Sequence, residues 1–115
     1  MSATAALKTA FWAAAAAVLF FSLIPTSPEL PGTGWDKSNH LLGFLTLALL
    51  GLPAYPSRRL QVVIGLLLFG GLIELLQSLT PYRLAEWADW LADGLGVGLG
   101  YGAHWLCRRF YLKKT

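Results

Sequence analysis

Four apolar stretches, each closed by residues that resist helix extension, leave this chain few folds to choose from. They run from about Ala10 to Ile24, Leu41 to Leu52, Leu60 to Leu79 and Trp87 to Leu106. Pro25, Pro28, Pro31, Gly32 and Gly34 follow the first, Pro53, Pro56 and Ser57 the second, and Thr80, Pro81 and Tyr82 the third. Such residues mark turns, because proline has no N–H to donate and glycine adds backbone freedom. With 56% hydrophobic and only 13% charged residues in 115 positions, a soluble domain could not hide this much apolar surface in one core. The lipid bilayer is therefore the expected solvent and first partner. A helix needs roughly 17 to 25 residues to cross about 30 Å of hydrocarbon. The second stretch meets this only if its helix starts near Asp36 and carries His40 into the membrane edge. The expectation is an all-α membrane protein, one domain over residues 1–115, built as a four-transmembrane-helix bundle with spans at about 10–25, 37–53, 60–79 and 85–106.

The first stretch also fits a secretory signal peptide, since Lys8 precedes an Ala-rich core. Ser22 to Glu29 hold two prolines and no clear small-x-small cleavage site, which favours a retained span. Cleavage would leave three spans in the same orientation.

Charge sets that orientation. Lys8, Arg58, Arg59, Arg108, Arg109, Lys113 and Lys114 belong to the N-terminus, the second turn and the C-terminus, whereas only Lys37 and Arg83 belong to the other two turns. Basic loops stay cytoplasmic, so both termini should be cytoplasmic in a multi-pass protein of the inner (plasma) membrane. All six carboxylates, Glu29, Asp36, Glu74, Glu86, Asp89 and Asp93, then fall toward the outer side. Trp35, Tyr82, Trp87 and Trp90 would ring the outer interface and Trp12, Tyr55, Trp105 and Tyr111 the inner one. The net charge of +3 is scattered in short turns and the tail, without the aromatic-interleaved stripe of a nucleic-acid binder, so no nucleic-acid partner is expected. The lone Cys107 cannot form an intramolecular disulfide and reads as a packing residue.

Three stretches offer polar groups to one depth. Glu74 lies roughly 8 Å below the outer end of the third span, and Asp93 about 10 Å below the start of the fourth. Glu86, Asp89 and Asp93 are spaced i, i+3, i+7 and share a face, as do Glu74 and Gln77 at i, i+3. Ionisable groups at such depth are costly unless paired or wet, which makes them candidates for function. The candidate ligand-binding set is Asp36, Lys37, His40, Glu74, Gln77, Arg83, Glu86, Asp89 and Asp93. The plainer reading is a lattice that clamps the helices, with Lys37 and Arg83 neutralising acids while Gln77 and Asn39 fill gaps. Against it, Asp36, Glu74, Glu86, Asp89 and Asp93 outnumber the two bases. The excess calls for a proton or a cation. No cofactor is demanded by the pattern, although a divalent cation would answer the charge; no His-Glu-x-x-His helix, paired-Cys site or nucleophile elbow assigns a metal or a reaction.

The fourth stretch carries Gly94, Gly96, Gly98, Gly100 and Gly102, two interleaved small-x-x-x-small registers that let a helix approach closely. The approaching helix is internal or belongs to a second copy of the chain. Leu99 stands where a dinucleotide fingerprint needs its last glycine. His104 and Arg108 read as interface anchors.

Taken in order, Asp36-Lys37-x-x-His40-x-x-x-Phe44, then Gly71-x-Ile73-Glu74-x-x-Gln77, then Pro81-x-Arg83-x-x-Glu86-x-x-Asp89-x-x-x-Asp93-x-x-Gly96-x-x-x-Gly100 resembles the VanZ-like family of small bacterial membrane proteins. The likeness spans roughly Gly32 to Gly102 and departs at Asp93, where many members have Asn. The resemblance implies a role at the cell envelope, since the name-giving member is associated with low-level resistance to the glycopeptide antibiotic teicoplanin.

Three functions fit. The first is non-catalytic: an outward acidic pocket binds a lipid-linked cell-wall component or a lipophilic glycopeptide and lowers antibiotic susceptibility. Because the acids repel a pyrophosphate, such a ligand would need Lys37, Arg83 or a bridging divalent cation. The second is a membrane-embedded hydrolase or transferase, in which Glu74 or Asp93 is general base and His40 its proton partner, with or without a metal on His40, Glu74, Asp89 and Asp93. The third is a transport or assembly accessory, which at this size would need homo-oligomerisation through the glycine-rich helix. Whether there is catalysis is left open, and the non-catalytic role is preferred.

Overall fold

A computed structural model describes residues 2–24, 36–80 and 87–113. They form α1 (Ala3–Leu23), α2 (Asp36–Ala54), α3 (Arg59–Ser78) and α4 (Trp87–Lys113), with no strand among the described residues. α1 begins well before its apolar run. Ser2 caps it, its hydroxyl accepting from the Ala5 N–H at 3.0 Å, and alanine, the best helix former, fills the next turns. It stops at Ile24, which is extended (φ −75°, ψ 157°) as the residue before a proline must be. α2 does start at Asp36, so His40 stands in its second turn. Pro53 lies in the last turn, where it forfeits the bond its N–H would make to the Leu49 carbonyl and only one more helical residue follows, and Pro56 lies beyond the end. α4 continues past the expected limit near residue 106 to Lys113. Nothing between Arg108 and Lys113 breaks a helix.

α2 is the central helix. It packs on α1, α3 and, most extensively, α4, whereas α1 and α4 do not meet among the described residues. The core is Phe44, Leu47, Ala48 and Leu52 of α2, with Phe11 of α1, Leu66 and Ile73 of α3 and Val97 of α4. α1 and α2 run antiparallel: near the start of α1, Lys8 stands 5.0 Å over the Tyr55 ring and the Trp12 indole N–H donates to the Tyr55 hydroxyl at 2.9 Å. α2 and α4 run parallel in near backbone contact. A Cβ on Gly96 would collide with the Leu41 carbonyl oxygen, and one on Gly100 would lie 2.5 Å from the Ala48 Cβ. Of the two glycine registers, Gly96/Gly100 therefore takes an internal partner. Gly98 and Gly102 have nothing within 4 Å, and Gly94 meets only Leu67 Cδ2 at 3.6 Å.

α1 and α3 are long and apolar enough to cross a membrane; the apolar part of α2, Ser38–Ala54, is shorter. The outer faces of all four helices expose large apolar side chains, among them Trp12, Phe20, Leu42, Leu49, Leu68, Leu75, Leu95 and Leu99.

Candidate functional site

The parallel pairing of α2 with α4, and the return of α3 between them, gather polar side chains at one end of the bundle. His40 comes from α2, Glu74 and Gln77 from α3, and Asp89 and Asp93 from α4, where they are one turn apart. His40 Nδ1 lies 2.8 Å from Asp93 Oδ1, and both side chains are buried, Asp93 completely. An ionised carboxylate can only accept, so Nδ1 is the donor in that state. This is the arrangement that sets a histidine's tautomer and ring orientation. His40, Glu74 and Asp89 each offer one ligand atom within 4.8 Å of the others. One imidazole and two carboxylates are a donor set compatible with a divalent cation.

Room for the Asp93 carboxylate is made by a glycine. A Cβ on Gly70 would stand 2.7 Å from Asp93 Oδ2 and 3.2 Å from the Trp90 ring. Trp90 then closes the α3–α4 side, its indole N–H donating to the Leu67 carbonyl at 2.9 Å. The Gln77 amide N–H donates to the Ser22 carbonyl at 2.8 Å, in a buried bond that ties the end of α3 to the end of α1. The same helix therefore carries a cluster acid, Glu74, and a strut, Gln77.

His40, Glu74, Asp89 and Asp93 are thus brought together. Asp36 and Lys37 open α2 by backbone position, with side chains outside the description. Arg83 and Glu86, like Glu29, Trp35 and Tyr82, lie outside the described residues. Sequence reasoning did not single out Gly70, Trp90's bond to α3, or Ser22. The adjacent Gly70 and Gly71 in mid-stretch and the lone Ser22 at the close of an apolar run were the available signals.

Among the described side chains, charge is segregated. Glu74, Asp89 and Asp93 lie toward one end of the bundle, and Lys8, Arg58, Arg59, Arg108 and Arg109 toward the other.

The family model for VanZ/LLP1 matches residues 5–108. No curated protein and no solved structure matches the chain. The match covers nearly the whole length, and the chain belongs to the VanZ/LLP1 family.

Proposed function

We propose that this VanZ/LLP1 family member is a multi-pass protein of the bacterial inner membrane, with four spans and cytoplasmic termini, that binds a lipid-linked or lipophilic envelope ligand at an outward-facing acidic pocket. The observation that carries it is the convergence of His40, Glu74, Asp89 and Asp93 from three helices on one buried volume, at the end of the bundle away from Arg58, Arg59 and Arg108. Apolar outer faces on all four helices support the bilayer placement. The positive-inside bias turns the cluster outward. Buried acids repel a pyrophosphate, so the ligand's anionic part meets Lys37, Arg83 or a bridging cation. Holding such a ligand at the surface lowers susceptibility to teicoplanin-type glycopeptides, in keeping with the association of the family's name-giving member.

The test is complementation of cells lacking the protein by wild type, Glu74→Gln, Asp89→Asn and His40→Ala, scored by glycopeptide susceptibility and envelope integrity with membrane levels checked by immunoblot. Variants that accumulate normally and fail to complement support a working pocket. Full complementation by all three overturns it.

A second reading, a metal-assisted hydrolase or transferase, is favoured by the 4.8 Å grouping of His40, Glu74 and Asp89. These three residues would hold the ion, which when bound polarises a phosphoryl or acyl oxygen. Asp93 would orient His40. Purified protein with no divalent metal, together with full function of Glu74→Gln, removes this reading.

A further inference from the structure

Away from the acid cluster, α3 and α4 part to leave an apolar groove of about 360 Å³, lined by Leu60, Val63, Leu67, Val97, Gly98 and Tyr101 among others. Gly98 has open space in front of it. The groove follows both helices for about 10 Å, from Leu67 down to Leu60. Helical spacing carries both walls on to a basic rim. Arg59, Val63 and Leu67 are related by i, i+4, i+8, and Val97, Tyr101, His104 and Arg108 by i, i+4, i+7, i+11. Arg59 and Arg108 are both close enough to His104 for their charges to act on it.

Two features of the rim ask for an anion. Arg59, half-buried, has its Nε–H shielded and without a hydrogen-bond partner among the described residues, and the shielded His104 Nε2 beside it is likewise unpartnered and donates in the tautomer that carries its proton there. α3 also begins there with no side-chain cap and no acidic residue in its first turn, leaving backbone N–H groups and the positive end of the helix dipole without an anion. The nearest carboxylate along α3 is Glu74, about 22 Å away. An apolar slot that ends in an anion-seeking rim is complementary to one class of molecule, an anionic amphiphile.

We propose that this groove binds an anionic phospholipid, with an acyl chain along Leu67, Val63 and Leu60 and the headgroup phosphate at Arg59, His104, Arg108 and the first turn of α3. A second copy of the chain fits less well, because a two-fold contact through this face would set two basic rims against each other at the same depth. The site rests on the proposed bilayer placement and is independent of the acid cluster's role.

The probes are phosphatidylglycerol and phosphatidylcholine of equal chain length, titrated into delipidated full-length protein in mild detergent and read by native mass spectrometry and thermal unfolding. Wild type is expected to retain phosphatidylglycerol and to require about tenfold more phosphatidylcholine for the same shift. Arg59→Gln with Arg108→Gln should erase that preference, and Arg59→Lys with Arg108→Lys should restore most of it. Gly98→Leu fills the slot from its open side and should weaken binding of both lipids while leaving helix content unchanged. Equal binding of the two lipids, or a preference that survives loss of both arginines, overturns the proposal. So does equal stabilisation by inorganic phosphate, which would mean a bare anion site, or a wild-type dimer that Gly98→Leu dissociates, which would make a second copy the occupant. Recovery of the chain in the soluble rather than the membrane fraction would instead overturn the bilayer placement itself.

Discussion

Moving one methyl group across the α2–α4 contact tests the packing that holds the candidate site together. In Gly100→Ala the new Cβ stands 2.5 Å from the Ala48 Cβ and 3.3 Å from the Leu45 carbonyl oxygen. Carbon atoms rest at about 3.5 to 4.0 Å, so the helices must part by about 1 Å. Neither atom can swing aside, since both Cβ positions are set by backbone. The same movement would stretch the 2.8 Å His40–Asp93 contact beyond hydrogen-bond range. Overpacking of this kind costs about 1 to 3 kcal/mol. Ala48→Gly alone is also destabilising, by about 1 kcal/mol of helix propensity. In the double variant the methyl has changed helices, the propensity terms oppose each other and the clash is gone. Ala48→Gly should therefore reverse sign and stabilise the Gly100→Ala background, with a coupling of roughly 1 to 3 kcal/mol. Gly98→Ala, which meets nothing within 4 Å, is the control and should be neutral or mildly stabilising. Reversible unfolding of the four proteins in mixed micelles measures the cycle. Additive effects, or a Gly98→Ala loss equal to that of Gly100→Ala, would refute the placement of α4 on α2.

Other outcomes follow from the cluster. Asp93→Asn keeps an acceptor for His40 Nδ1 and should leave Tm nearly unchanged, whereas Asp93→Leu leaves that buried donor without a partner and should cost roughly 1 to 3 kcal/mol in the same unfolding assay. Gly70→Ala places a methyl 2.7 Å from Asp93 Oδ2, and should reduce complementation of the envelope phenotype more than it reduces membrane accumulation measured by immunoblot. Gln77→Ala removes the buried bond to the Ser22 carbonyl and should lower stability by about 1 to 3 kcal/mol. Its effect should appear as faster hydrogen exchange at the end of α1, with α4 unaffected.

Helix number was legible because the chain is punctuated: Pro25, Pro53, Pro56 and Pro81 sit at or just beyond the ends of three apolar runs. Helix ends were less so. α1 gains its first turns from Ser2 and the alanines, and α4 runs through Arg108 and Arg109 to Lys113, because hydropathy marks the apolar part of a helix and not the part that merely propagates. Spacing alone put Asp89 and Asp93 on one face, and helical rise placed them at the level of Glu74 and His40. The specific pairing of His40 with Asp93 needed the register of α2 on α4, which depends on how Gly96 and Gly100 seat against Leu41 and Ala48. That long-range fit is a property of two surfaces and has no local signature. Gly70 was invisible for the same reason, since its role is to leave space for a side chain on another helix. Periodicity put Gln77 on the face of Glu74, but its bond to the Ser22 carbonyl joins two helices and no local spacing announces it.

The parallel docking of α2 and α4 also dictates an order of events during synthesis. These helices are separated along the chain by all of α3, and the His40–Asp93 bond joins residues 53 positions apart. α2 leaves the ribosome long before its main partner exists, so His40, Phe44 and Ala48 wait without the surface that will cover them. The cluster closes only when the last helix arrives. A nascent chain stopped short of Gly96 contains His40, Glu74, Asp89 and Asp93 but not the backbone contact that aligns them. Assembly of the site is thus tied to the docking of α4 on α2.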